Sequence, residues 1–398
     1  MSDLGYGVFD CDTHCYEVRD AFTRYLPEHL RDRALTPVRN AAGLEVVLAG
    51  TRVATFNSEQ GLGFDLAYRP GSLKEMIRQM ASGNPEDAYE PEPMRPEFQE
   101  REPRLKVMDE QGVEGCVLFP AAMALSAEHY VKDTEALYGN LHSFNRWFDE
   151  TWGFNFEDRL YATAVLSLRD LDEAVKLTDA VLARGAKVVL LPTGPAYGRS
   201  PGDPYFDPVW ARLNEANVTV AFHIMPFWYF DVMSEAWGHN PDPPSWHMSA
   251  WQWNNVYGER PIEDTLSALI YDNLFGRFPN LRCLVAEHGA EWVPHFVRHM
   301  DKSRGMGRNG PWIGGPLKER PSAIFRQFIR VTPYPEDDIP WIVENLGGVE
   351  SIVMGSDFPH AEGLAEPADY ASLMPGFEEK DIRRVMCGNA EELFSAAR

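Results

Sequence analysis

The sequence predicts an α/β protein, a (β/α)8 TIM barrel with insertions after strands 1 and 5. Three observations lead there: eight short apolar runs recur along the chain, helical patterns separate them, and polar residues suited to metal binding end several of them. Apolar runs of about four to eight residues, alternating with amphipathic stretches, mark buried parallel strands joined by crossover helices. Eight such runs fit a barrel. A doubly wound open sheet is the alternative, but no Gly-rich phosphate turn follows the first run.

In chain order the runs are YGVFDCD (6–12), GCVLFP (115–120), YATAVL (161–166), AKVVLL (186–191), VTVAFH (218–223), RCLVAEH (282–288), QFIRV (327–331) and SIVMGSD (351–357). Between them, LHSFNRWFDETW (141–152) and LDEAVKLTDAVLARG (171–185) place apolar residues at helical spacing, the second with Gly185 as its C-cap. FDPVWARLNEANV (206–218) reads as a helix with Asp207 at the N-cap and Pro208 at the first position.

Two stretches break the rhythm. Residues 35–103 are too long for one connection. Within them LEVVLAGTRVATF (44–56) reads as a small hairpin, and NPEDAYEPEPMRPEFQEREP (84–103) as an acidic, Pro-rich surface excursion. Residues 224–260 follow the fifth run and hold Trp228, Trp237, Trp246, Trp251 and Trp253. The chain, residues 1–398, reads as a single domain carrying these two insertions.

Composition narrows the class. Of 398 residues, 44% are apolar and 24% charged, as in globular proteins, so the core needs no disulfide or structural metal. A net charge of −23 argues against a nucleic-acid partner, because phosphates require a basic surface. Its plain reading is solubility. Cys11, Cys15, Cys116, Cys283 and Cys387 are scattered and odd in number, which speaks for reduced thiols and a cytoplasmic setting. The N-terminus shows no signal-peptide pattern, and no apolar run approaches the roughly 18 residues of a membrane span.

The chemistry sits at the strand ends. The first run leads into Asp12-Thr13-His14, the fifth ends in His223, the sixth in Glu287-His288 and the eighth in Asp357. In a barrel these C-terminal ends converge on one mouth. Asp12 and His14 are two residues apart and share one face of an extended segment. A DxH pair alone is a weak signal, but two histidines and two carboxylates from three separate strand ends suit one divalent ion, Zn²⁺, Mn²⁺ or Fe²⁺, with a position left open.

Further residues add to the pattern: Arg104-Leu105, the segment Met108–Glu114, His288-Gly289-Ala290-Glu291, Gly355-Ser356-Asp357-Phe358-Pro359-His360 and Gly388-Asn389-Ala390. Together with Asp12-Thr13-His14 and His223 they resemble the amidohydrolase-2 branch of the amidohydrolase superfamily. That branch includes the aminocarboxymuconate-semialdehyde, γ-resorcylate and 5-carboxyvanillate decarboxylases. The resemblance runs from about residue 8 to 396 and is thinnest over 35–103 and 226–260. It implies Asp12, His14, His223 and Asp357 as metal ligands, with Asp12 in a place where the family usually has His or Glu. It implies one ion rather than two, since AKVVLL has no Lys at its tip, and a dimer or tetramer. His288 would be the catalytic histidine and Glu291 the carboxylate that orients it; a structural strand-end histidine and a helix-start carboxylate are the plainer readings.

Softer candidates concern the substrate, a small molecule. Phe358 and His360 follow Asp357 and could line the mouth. Arg52 could meet a substrate carboxylate if the hairpin folds over the barrel; otherwise it is a solvated surface residue. Trp228 and Trp237 could wall an aromatic pocket or serve packing. Glu17 reads as a surface residue or as support for the metal motif. Three functions follow: non-oxidative decarboxylation of an aromatic or unsaturated acid, hydrolysis of an amide, lactone or carbon–carbon bond, and a catalytically dead scaffold. The complete ligand set disfavours the third, and nearness to the decarboxylases favours the first.

Overall fold

The computed structural model describes residues 4–55, 63–82, 89–225, 227–244 and 247–394. The first run forms β1 (Val8–His14). Five short antiparallel strands follow: β2 (Leu35–Arg39), β3 (Glu45–Ala49), β4 (Arg52–Val53), β5 (Leu66–Ala67) and β6 (Glu92–Pro93). Then come the buried parallel strands β7 (Val113–Phe119), β8 (Leu160–Ala162), β9 (Ala164–Val165), β10 (Val188–Leu190), β11 (Thr219–His223), β12 (Arg282–Ala286) and β13 (Ile329–Val331).

β1, β7 and β8 make one parallel sheet, and β9 to β13 a second in unbroken chain order. The order never reverses, so the second sheet has no topological switch point of the doubly wound kind. YATAVL is divided between the two sheets at Thr163, whose N–H bonds Leu118 O of β7 at 3.0 Å. The eighth run corrects an expectation: residues 351–358 form no regular strand. They nevertheless bond both flanks. Val353 N donates to Val331 O at 3.1 Å, Cys11 N to Met354 O at 3.0 Å, and Asp357 N to Asp12 O at 2.7 Å. The ladder is broken where the chain presses on β1. A Cβ at Gly355 would lie 2.7 Å from that of Asp12, and Asp357 has a left-handed φ of 56°.

The helices match the sequence pattern with shifted ends. Thr134–Thr151 is capped by Asp133, and Leu171–Ala183 by Asp170. Arg184 closes the latter, with Gly185 just beyond at φ 89°. Asp207 is not a cap: it opens the helix Asp207–Glu215, while Asp203 caps the 3-10 turn before it by accepting from Tyr205 N. The preceding turn supplies the entry that Asp207 was expected to give.

The 35–103 segment holds the expected hairpin, β3 and β4, extended by β2 into a three-stranded sheet. The Pro-rich excursion is more ordered than expected where it is described. Glu92–Pro93 pairs with Leu66–Ala67, Pro96–Phe98 makes a 3-10 turn, and Arg101–Gln111 is a helix ending on left-handed Gly112. Residues 83–88, which include the start of that excursion, lie outside the described residues. In the 224–260 segment, two π-helical turns, Phe230–Ser234 and Trp253–Tyr257, flank a capping box between Ser249 and Gln252. Trp246 lies outside the described residues. Cys11, Cys15, Cys116 and Cys283 are buried free thiols. Among the described residues no helix is long and apolar enough to cross a membrane.

Candidate metal centre

β1 and β11, strands of the two different sheets, each end in a histidine, and the two imidazoles meet at one point. His14 Nε2 and His223 Nε2 are 3.0 Å apart. Each ring turns its Nδ1 to a backbone carbonyl, Pro120 O at 3.2 Å for His14 and Ile224 O at 3.0 Å for His223. An Nδ1–H that donates to a carbonyl leaves a lone pair on Nε2. Two such lone pairs aimed at each other repel, and a cation between them removes the conflict. Carbonyl-fixed tautomers are also what histidine ligands show.

Carboxylates complete the shell. From His14 Nε2, Asp12 Oδ1 is at 3.5 Å, Asp357 Oδ1 at 3.4 Å and Glu287 Oε2 at 3.9 Å. Glu287 Oε2 also lies 2.8 Å from His223 Nε2. Asp12 Oδ1 is buried without a hydrogen-bond donor among the described residues, and Asp357 Oδ1 has only the His360 ring beside it, Nδ1 at 2.7 Å. Burial, then Asp357 and Glu287, push the Asp12 carboxyl well above its ordinary range. Burial lifts Asp357 to about 7 although His360 opposes it, and burial with the neighbouring histidines drives His14 down. Every one of these strains is relieved by positive charge at the centre, so the residues present fit a divalent ion.

The support is built into the fold. Asp10, wholly buried, accepts from Ser356 N at 2.9 Å, Ser356 Oγ at 2.5 Å and Asp12 N at 3.2 Å, tying β1 to the segment that carries Asp357. Burial raises its carboxyl to about 6, with the Ser356 bonds opposing. Buried Arg104 donates to the carbonyls of His14 and Glu97 and lies over the Phe358 ring at 4.9 Å. Glu287 and Asp357 both adopt left-handed φ, 53° and 56°. Such backbone is disfavoured in residues with a Cβ and gathers at functional sites.

Beside the cluster lies a cavity of about 360 Å³. Tyr16, Phe64, Tyr68, Trp253, Tyr257 and Tyr334 give it aromatic walls, and Glu17, Glu45, Glu287 and Glu362 line it without any Lys or Arg among the described lining residues. His14, His223 and His360 face it. His360 stacks on His14 with centroids 4.1 Å apart, and its Nδ1 is 2.7 Å from Asp357 Oδ1. Burial disfavours the charged His360 ring, but Asp357, Glu362 and Glu287 outweigh that and carry it to about 10.

Thus the structure brings together Asp12, His14, His223, Asp357 and His360, and Glu287, which the sequence places at the sixth strand end without a role, joins them. Other placements correct expectations. Glu291 is exposed and accepts from Asp338 N at 3.1 Å, so the expected pair with His288 does not form. His288 is buried and is not among the described residues that line the cavity; burial, then the His223 charge, takes it down to about 3 against a bond to the His223 backbone. Arg52 is drawn away by Asp242, 3.1 Å from its Nη2, and lies over the Tyr130 ring. Trp237 is 68% exposed and packs on Trp251; Trp228 is also exposed, and Trp253 takes the wall position instead. Phe358 turns inward onto Phe98 and Arg104. Glu17 is buried at the cavity, not on the surface.

A parallel α/β fold whose strand ends gather histidines and carboxylates defines a metal-dependent enzyme class, and a family model described as amidohydrolase matches residues 9–396. The chain belongs to the amidohydrolase family and is a metal-dependent enzyme. Among solved structures it is similar to an amidohydrolase from Mycobacterium avium subsp. paratuberculosis K-10, at 34% identity and a TM-score of 0.83, covering 98% of this chain and 99% of that one. It shares its fold with 5-carboxyvanillate decarboxylase from Novosphingobium aromaticivorans, complexed with manganese and 4-hydroxy-3-methoxy-5-nitrobenzoic acid, at 15% identity and a TM-score of 0.62 over 98% of this chain and 97% of that one. The same holds for manganese-bound dihydroxybenzoic acid decarboxylase from Polaromonas sp. JS666, at 16% identity and a TM-score of 0.59 over 98% and 97%. No curated protein matches the chain.

Proposed function

We propose that the protein catalyses non-oxidative decarboxylation of a small aromatic or unsaturated carboxylic acid, with one divalent ion, Mn²⁺ or Zn²⁺, held by Asp12, His14, His223 and Asp357 beside Glu287. We read the two parallel sheets and residues 351–358 as one (β/α)8 barrel, and residues 35–103 and 224–260 as insertions over its mouth. The observation that carries the functional reading is the His360–Asp357 contact of 2.7 Å, placed beside the ligand cluster at an aromatic-walled cavity.

When bound, the ion supplies positive charge that neutralises and fixes a substrate carboxylate with its neighbouring hydroxyl or oxo oxygen. The chain does the rest. Tyr16, Trp253 and Tyr257 hold a flat ring by area and stacking. The His360–Asp357 pair shares a proton and gives it to the ring carbon that bears the carboxylate. The bond to the carboxylate then breaks, its electron pair returns to the ring, CO₂ leaves, and the pair regains a proton from water. His288, buried and held neutral, does not serve as this acid.

A second reading rests on the absence of Lys or Arg from the described cavity lining, which suits an uncharged substrate. In it the protein hydrolyses an ester, lactone or amide, and Asp357 takes the proton from water. One assay separates the two. Metal-loaded protein is incubated with hydroxybenzoates and with simple esters and lactones in D₂O. CO₂ release with deuterium at the vacated ring carbon supports decarboxylation; ester or lactone turnover without CO₂ from any acid assigns hydrolysis.

A further inference from the structure

Glu17 lies three residues past His14, and the two residues before it are pinned by their backbone. Cys15 N donates to Phe119 O at 3.1 Å and Tyr16 N to Phe98 O at 2.9 Å. The residue is 5% exposed, yet it lines the cavity. Ala124 N donates to Oε1 at 3.0 Å, the residue's own N–H also bonds the carboxyl, and no side chain among the described residues donates to it. Its neighbours differ. Glu45 is paired with Arg19 at 2.8 Å, Glu287 meets His223, and Glu362 is exposed. Glu17 alone among these cavity carboxyls combines burial with the lack of a direct ion pair among the described residues; the His360 ring acts on it only from a distance.

A buried carboxyl with unused acceptor capacity is costly unless something completes it. Burial raises it to about 7, against the opposing Ala124 N–H, which leaves it ionised in mild base. A ligand donor meeting a carboxylate in such a site makes a charge-assisted hydrogen bond. A site built for that bond rejects an analogue lacking the donor, because its polar group is then left unpaired. A ligand carboxylate in the same place meets repulsion, with no Lys or Arg in the described lining to offset it.

We infer that Glu17 is a specificity-determining residue that accepts a hydrogen bond from a phenolic hydroxyl or amine on the substrate, so that the cavity selects mono-acids bearing such a donor and excludes diacids. This rests on the decarboxylase reading for the substrate's acid group.

The test is calorimetric binding to the manganese-loaded full chain at about pH 8, where Glu17 is ionised. The probes are 2-hydroxybenzoates with a second substituent (hydroxyl, methoxy or carboxyl) at each ring position. At one position at least, the hydroxyl compound should bind roughly tenfold or more tighter than its methoxy and carboxyl counterparts. Glu17→Ala should bring the three within about twofold. Glu17→Gln keeps an oxygen for Ala124 and presents an amide donor, so its preference should turn toward methoxy. Absence of a hydroxyl preference in the wild type at every position overturns the inference, as does an undiminished preference in Glu17→Ala. CO₂ release is scored separately. Selective binding without CO₂ defeats the decarboxylase reading and leaves Glu17 in its role; CO₂ release without selectivity does the reverse.

Discussion

His14 and His223 point their Nε2 atoms at each other across 3.0 Å, while backbone carbonyls hold both Nδ1 atoms. Neither ring can turn away without losing its carbonyl, and with both rings neutral and Nδ1-protonated neither Nε2 has a proton to give the other. The pair arises because β1 and β11 end at the same level, and the carboxylates of Asp12, Glu287 and Asp357 surround it.

Asp10 organises the centre without facing the cavity. Asp10→Ala leaves Ser356 N, Ser356 Oγ and Asp12 N without their acceptor. It should cost about 2–4 kcal/mol of stability and weaken metal binding roughly 10–100-fold. Denaturant unfolding and metal titration check the two effects; a change in neither would show that Asp10 is dispensable.

Trp253 and Trp237 should part company. Trp253 walls the cavity, whereas Trp237 stands exposed on Trp251. Trp253→Ala should weaken binding of an aromatic acid to the metal-loaded protein by roughly tenfold. Trp237→Ala should change it by less than about twofold. Calorimetry showing the opposite ranking would put the binding wall on the wrong tryptophan.

Asp242 gives a pH signature. Burial pushes its carboxyl up, but bonds from His129, Arg52 and Tyr130 outweigh that and hold it at about 2. Its folded value lies below the unfolded one of about 3.9, so the carboxylate stabilises the fold above about pH 4 and that gain is lost as pH falls toward 2. Asp242→Asn should lower Tm by a steady amount between about pH 5 and 8, and by a shrinking amount below about pH 4. A penalty unchanged down to about pH 3 would remove Asp242 from this role.

What could be read from sequence follows from how each side chain is directed. Asp12, His14 and His223 sit in or at the end of strands, where the two-residue period and the parallel arrangement fix their direction, so counting along the apolar runs finds them. Asp357 was visible for the same reason, although its strand is broken by Gly355 and by its own left-handed backbone. Glu287 is visible at the sixth strand end, but its place beside the ligands is not, because its approach depends on a φ of 53°, which no local pattern announces. Arg52, Trp228 and Trp237 lie on the long segments, where direction is set by partners far along the chain. Arg52 could not be placed without Asp242, 190 residues away. Glu291 had the right spacing from His288, but the turn at Gly289, φ 60°, carries it out to Asp338. Its neighbour on that loop is fixed instead by Asp337, which accepts from Ala290 N at 2.7 Å.

We propose that these strand ends hold one divalent ion. Equilibrium dialysis against Mn²⁺ followed by elemental analysis tests it most directly. Wild type should retain one ion per chain, and His14→Ala and His223→Ala should retain none while keeping the circular dichroism of the folded protein. A wild-type chain that takes up no ion, or folded His14→Ala and His223→Ala variants that keep a full equivalent, would contradict it.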